Sequence, residues 1–151
     1  MTLAGVFITE FAINNIVKIN HLNMTFPQRN TPYTRTDIKN QLGGEIQTYL
    51  PQNKKIILAG CFTVDSMNPD APAIIQAGNA VRVAAKAVLL SSQPDTVFPV
   101  FLKKQSSDKH YFFEGYFKFK SISNQPAVIA AAEMRSGRFD ELSYVIELQR
   151  I

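Results

Sequence analysis

The residues with the clearest chemical character lie in one stretch, Val97 to Lys120, which reads VFPVFLKKQSSDKHYFFEGYFKFK. The pattern predicts two strands joined by a polar turn from Gln105 to Lys109. Because side chains alternate between the two faces of a strand, the odd positions from 111 to 119 predict a core wall that is nearly all aromatic. The even positions predict a wet face that is basic and aromatic, as in surfaces that hold nucleic acid.

Basic side chains are concentrated on this hairpin. The lysines are Lys103, Lys104, Lys109, Lys118 and Lys120. Only Asp108 and Glu114 offset them, so the hairpin is net positive and could neutralise several phosphates. Phe112 and Tyr116, on the predicted wet face, could stack on a base. The alternative is that the lysines protect an edge strand from aggregation while both aromatics pack under a helix.

Two arginines bracket a glycine in the sequence RSGR, at Arg135 and Arg138. They follow a predicted helix, and a positive charge near a helix C-terminus is stabilised by the helix dipole. A guanidinium can also bind a phosphate or the edge of a guanine through two parallel hydrogen bonds. Both interpretations stay open at this point.

A different reading of the same strand is enzymatic. Glu114 and Lys118 lie four residues apart, and Asp65 or Asp70 could approach from a loop, which would supply the groups of a magnesium-dependent nuclease. The usual pattern of such nucleases has Glu and Lys two residues apart, and here Tyr116 occupies that place. The chain has no Gly-rich phosphate loop, GxSxG elbow or HExxH motif. We therefore expect a binding protein without a cofactor, and keep the nuclease as an alternative.

Composition sets further bounds. The 151 residues are 46% hydrophobic, which excludes a disordered chain, and the net charge of +4 permits an acidic partner. Cys61, the only cysteine, lies in an apolar run and predicts a small buried side chain in a reducing, cytoplasmic setting. No Cys/His set resembles a zinc site, so no metal is expected. No segment reaches the ~18 unbroken apolar residues of a membrane helix, so no membrane partner is expected.

The pattern along the chain predicts an N-terminal extension, residues 1–30, with a possible hairpin, and a single domain, residues 31–151. The extension is a candidate surface for a homo-oligomer or another protein partner. Helices are predicted at Thr34 to Leu42, Ala80 to Leu90 (capped by Asn79) and Ala127 to Arg135. Besides the hairpin, strands are predicted at Ile46 to Leu50, Ile56 to Thr63 and Leu142 to Gln149. This irregular order favours an α+β fold with a small mixed or antiparallel, partly closed β-barrel and two or three short helices.

Several segments also carry a resemblance. They are TRTDIKNQLGGEIQTYLP, AGCFTVDSMNPDAP, FPVFLKK, HYFFEGYFKFK and RSGRFDELSYVIELQ. Their order resembles a family of largely uncharacterised microbial domains. The aromatic strand is also similar to that of the SRA (YDG) and related PUA-like domains that read modified DNA bases.

The PUA-like resemblance implies a small barrel whose concave face receives a flipped base. It implies pocket aromatics at Phe62, Phe112 and Tyr116, and groups that read the base edge at Asp65 and Asn68. The residues that would then hold the backbone are Lys103, Lys104, Lys118, Lys120, Arg135 and Arg138. The expected function is binding of nucleic acid, duplex DNA above all, with reading of a modified base as its finer form. A nuclease of a restriction or defence system and a protein-interaction module are the alternatives.

Overall fold

The computed structural model describes residues 26–151, and the hairpin expected within residues 1–25 lies outside them. The described part of the chain is an α+β fold with three helices, a five-stranded sheet and a two-stranded sheet. The helices are α1 (Arg35–Leu42), α2 (Val81–Ser91) and α3 (Pro126–Ser136). The strands are β1 (Gln52–Asn53), β2 (Ile56–Ile57), β3 (Gly60–Thr63), β4 (Ile74–Gly78), β5 (Phe98–Lys103), β6 (Phe112–Ser123) and β7 (Leu142–Arg150).

All three predicted helices are present, with ends set by local chemistry. Thr34 and Asp37 form a reciprocal capping box at α1, in which Thr34 Oγ1 accepts from Asp37 N at 3.0 Å and Asp37 Oδ2 accepts from Thr34 N at 2.9 Å. Gly137 ends α3 in the left-handed conformation. The predicted cap of α2 is wrong: Ala80 occupies that position without a side-chain hydrogen bond, and Asn79 Nδ2 donates to Asp140 O instead.

The five-stranded sheet has the order β3-β5-β6-β7-β4. β3 pairs with β5 in parallel, and the three other pairs are antiparallel. The sheet is therefore mixed, as expected, and β3 and β4 lie at its two edges. This order does not show the partly closed barrel.

Two strand predictions need correction, and one strand is missed. Ile46 to Leu50 forms no strand, because Arg35 donates to Thr48 O at 2.7 Å and to Glu45 O at 3.0 Å and so holds this segment against α1. The run Ile56 to Thr63 divides into β2 and β3. Strand β4 is not predicted from the sequence, although it pairs along its length with β7.

The sheet buries a core on each face. The main core lies under α2 and contains, among others, Phe62, Phe98, Val100 and Phe117. The second core contains Phe26, Ile38, Ala59, Cys61, Phe101 and Tyr111. Phe26 is 4% exposed and stacks on Phe101 with ring centroids 6.1 Å apart, so the folded body includes residues that the sequence assigns to the extension.

A β-bulge in β6 divides the predicted aromatic wall between these two cores. Phe113 lies opposite Phe101, but Gly115 lies opposite the adjacent Val100, which leaves Glu114 as the extra residue. Tyr111 and Phe113 therefore pack in the second core, whereas Phe117 and Phe119 pack in the main core. The expectation of one continuous aromatic face is wrong, because the bulge exchanges the two faces midway along the strand.

Candidate nucleic-acid interface

A groove of about 660 Å³ lies at the tip of the β5–β6 hairpin. We call it the hairpin groove, and its lining residues are Pro32, Val64, Leu102, Lys103, Lys104, Asp108, Lys109, His110, Phe112 and Glu114. It contains the three lysines that the sequence places at this tip, together with one of the two aromatics predicted on the wet face. The described structure thus brings part of the predicted surface together in one concave place.

The end of β3 brings a carboxylate beside this groove. The parallel pairing of β3 with β5 continues past the strand, since Val64 N donates to Lys103 O at 2.8 Å and Asp65 N donates to Lys104 O at 2.9 Å. Asp65 is exposed and follows Val64 in the chain, which lines the groove, so its carboxylate belongs to the surface next to the groove and not to its lining. These two backbone hydrogen bonds fix the backbone of Asp65 relative to that of Lys104.

The three lysines of the groove differ in their freedom. Lys103 Nζ donates to Ser106 O and Asp108 O, both at 3.2 Å, and lies 5.1 Å from the centre of the Tyr111 ring. Lys103 thus holds the turn in shape. Lys104 and Lys109 are exposed and form no ion pair with any residue of the range 26–151. These two ammonium groups are available to an anionic partner.

Phe112 supplies an apolar surface in the groove. It lies opposite Leu102 in the sheet and is 46% exposed, a large fraction for a phenylalanine. An exposed ring between lysines is a stacking platform of the kind that binds bases in proteins for single-stranded or flipped nucleotides.

The remaining members of the expected base pocket lie elsewhere. Phe62 is 1% exposed in the main core, so it has no open surface for a base. Asn68 is 7% exposed, and its amide bonds Gln76 N at 2.8 Å and Thr63 O at 3.3 Å. Tyr116 faces the other side of the sheet, edge-on to Phe113 at 5.2 Å, and burial raises its pKa. Of the five expected pocket residues, Phe112 lines the hairpin groove, and Asp65 lies next to the groove through its backbone bond to Lys104.

The other expected backbone contacts are also dispersed. Lys118 shares the Tyr116 side of β6, and Lys120 Nζ lies 3.7 Å from Glu147 beyond a second bulge. Arg135 donates from Nε to Asp70 Oδ2 at 3.2 Å, which lowers the pKa of Asp70. Arg138 donates from Nη1 to the backbone carbonyls of Met67 and of Gln76 in β4. The predicted single basic surface is therefore divided, and the hairpin groove holds only its lysines 103 and 104.

The nuclease residues are not assembled in the described structure. Arg150 Nη2 donates to Glu114 Oε1 at 3.0 Å, and Asp70 is paired with Arg135 at the opposite edge of the sheet. Across residues 26–151, no three His, Cys, Asp or Glu side chains come together as a metal site would need. Cys61 is buried, as expected, and burial raises the pKa of its thiol to about 12. A thiol in this state is a poor nucleophile at neutral pH.

Two arginines that the sequence pattern does not single out hold the β6 bulge next to the hairpin groove. Arg29 Nη1 and Arg150 Nη1 both donate to Glu114 O at 2.9 Å, and so hold the bulge from two distant parts of the chain. The alternation of residue types along β6 does not predict these two contacts. The available signal is Gly115, since a glycine inside a strand often marks a bulge or a close approach.

No protein-family model, curated protein or solved structure matches the chain. Within the described range, no helix combines the length and the apolar character required to cross a bilayer.

Proposed function

We propose that this protein binds nucleic acid in the hairpin groove, and that the nucleic acid is duplex DNA. The observation that carries the proposal is the position of two free lysines, Lys104 and Lys109, around an exposed aromatic ring, Phe112, in one groove. Phosphates would lie against the ammonium groups, and affinity would fall as salt rises, because the release of counterions then contributes less. The ring would stack on a base regardless of its identity.

The finer form of the proposal is that the groove reads a modified base that has been flipped out of the duplex. Asp65 stands at the rim beside Lys104, and a carboxylate can accept a hydrogen bond from the exocyclic amino group of cytosine. A carboxylate together with a stacking ring is the pairing of groups that base-flipping proteins use. The PUA-like relationship of the fold and a cytoplasmic location belong to this proposal, and they rest on the aromatic strand and on the single buried cysteine.

The direct experiment is fluorescence anisotropy with short labelled duplexes at two salt concentrations. The duplexes would be unmodified or would carry methylated, hydroxymethylated or phosphorothioate positions. We expect salt-sensitive binding and a preference for one modification. Absence of binding to every duplex at low salt would overturn the proposal and would leave a protein partner as the next candidate.

Base reading and backbone binding can be separated with one carboxylate. Asp65→Asn should weaken binding to the preferred cytosine-containing duplex by about tenfold, the effect of a hydrogen bond worth ~1.4 kcal/mol. The salt slope should remain as in the unaltered protein, because no lysine is removed. Asp95→Asn, at an exposed position outside the groove, is the matched control and should change neither quantity. Equal effects of the two variants would contradict the role of Asp65.

A further inference from the structure

A second cavity, of about 290 Å³, lies between the start of α2, the end of β4 and the segment 47–49. We call it the arginine cavity, because Arg82, Lys86 and Arg138 all line it. It shares no lining residue with the hairpin groove. Its other walls include the uncharged polar side chains of Gln47 and Thr48.

The three cations differ in how far the protein already satisfies them. Lys86 Nζ bonds Glu45 Oε2 at 2.7 Å and Leu50 O at 2.9 Å, so it is neutralised within the fold. Arg138 donates from Nη1 to Met67 O and to Gln76 O, both at 3.0 Å. Arg138 Nε is buried without an acceptor in the described structure. This nitrogen is enclosed by protein atoms, so a ligand in the cavity would contact Nη2 and not Nε.

Gly78 allows the guanidinium to lie where it does. A β-carbon at this position would be 3.2 Å from Arg138 Nη2, closer than ordinary packing permits. Within the described residues, Arg138 Nη2 is left without a protein acceptor, while Nη1 is fixed by two carbonyls. Nη2 carries two N–H donors, and hydrogen bonds from a guanidinium to an anionic oxygen are among the stronger ones in proteins.

The neighbouring end of α2 adds positive character to the same cavity. Arg82, in the first turn, is exposed and forms no ion pair with residues 26–151. Ala80 gives α2 no side-chain cap, so no side chain of the N-cap residue occupies the first amide groups of the helix. Arg138 Nη2, the side chain of Arg82 and the start of α2 therefore meet at one concave volume.

We propose that the arginine cavity binds a small molecule through a phosphate monoester. With Lys86 paired to Glu45, the positive character of the cavity comes from Arg82 and from Arg138, whose charge Glu141 offsets in part, and it attracts a doubly charged group. The volume lies just below the usual ~300–1,000 Å³ of small-molecule sites, so the ligand is a small phosphorylated compound and not a polymer. The polar side chains of Gln47 and Thr48 would bind the uncharged part.

The probe for this site is inorganic phosphate, titrated into the ¹⁵N-labelled chain at constant ionic strength with chloride as the competing anion. Saturable amide shifts are expected for residues 47–49 and 78–83. Arg82→Ala should weaken phosphate binding by about tenfold, the fold-change expected when one hydrogen bond to a charged group is removed. Gly78→Ala should weaken it too, because the added methyl group displaces Arg138 Nη2.

Lys39→Ala, which removes one exposed positive charge from α1, is the matched control and should change affinity by less than about twofold. The variant Lys104→Ala should also leave phosphate binding intact, which separates this site from the hairpin groove. Non-saturable shifts, or equal weakening by Lys39→Ala and Arg82→Ala, would overturn the proposal. If Gly78→Ala does not fold by circular dichroism, the comparison of Arg82 with Lys39 decides alone.

Discussion

The guanidinium of Arg150 lies directly against the backbone of Gly115. A β-carbon built on Gly115 would be 2.6 Å from Arg150 Nη1, a distance too short for any real packing. Gly115 also has φ of +146°, where side chains are strained. The aromatic strand can therefore exchange its faces at this point only with glycine, and the exchange places Phe112 in the hairpin groove.

Gly115→Ala should lower the free energy of unfolding by about 1–3 kcal/mol from backbone strain, with a further decrease from the clash with Arg150. Urea denaturation measures the total decrease in the free energy of unfolding. Gly137→Ala is the control, since Gly137 has φ of +77° but no atom within 4 Å of its added β-carbon, so it reports strain without a clash. In the double variant with Arg150→Ala, the clash is relieved and the two decreases should be less than additive. Strict additivity would contradict the close approach.

Asn68→Ala should destabilise the protein by about 1–3 kcal/mol, because the buried Gln76 N–H is left without its acceptor. Asn79→Ala removes an exposed amide that bonds Asp140 O and should cost less. The folded Asn68→Ala protein should bind duplexes as the unaltered protein does, because Asn68 supports β4 and does not line the hairpin groove. Weaker duplex binding with unchanged stability would reverse this assignment.

Cys61 should make stability fall as the solution becomes alkaline. Burial raises the pKa of its thiol from 9.0 to about 12, so between these values the unfolded chain releases a proton that the folded chain retains. The unfolded state then binds fewer protons, and the free energy of unfolding decreases as the pH rises above about 9. Urea denaturation at several pH values should show a steeper decrease for the unaltered protein than for Cys61→Ala. Identical pH profiles would contradict a buried, protonated thiol.

Local signals are sufficient to predict the helices. The capping pair Thr34 and Asp37 and the terminal Gly137 act within a few residues, so their effect can be read from the chain. The strand β6 is also recognisable from its aromatic pattern. The alternation pattern cannot predict the bulge at Glu114, because the bulge depends on the register with β5 and on the arginines at positions 29 and 150.

The candidate site is predictable to the same limited extent. Lys104 and Phe112 are identified from one hairpin, and the pairing of β3 with β5 places Asp65 beside Lys104. Phe62, Asn68 and Tyr116 do not line the hairpin groove, and the sequence could not show this because burial and facing are tertiary properties. Arg138 stands out in the sequence as a possible phosphate contact, but the cavity around it is formed by segments that are distant along the chain.

The measurement that tests the central claim most directly compares two lysine pairs by duplex anisotropy across a range of salt concentrations. Lys104→Ala with Lys109→Ala removes two charges from the hairpin groove, and Lys118→Ala with Lys120→Ala removes two charges from elsewhere on β6. We expect the first pair to weaken binding and to reduce the slope of log K against log salt by about 0.9 for each phosphate that is no longer neutralised. The second pair should have a smaller effect on both quantities. Equal or greater weakening by the second pair, with both proteins folded, would contradict binding in the hairpin groove.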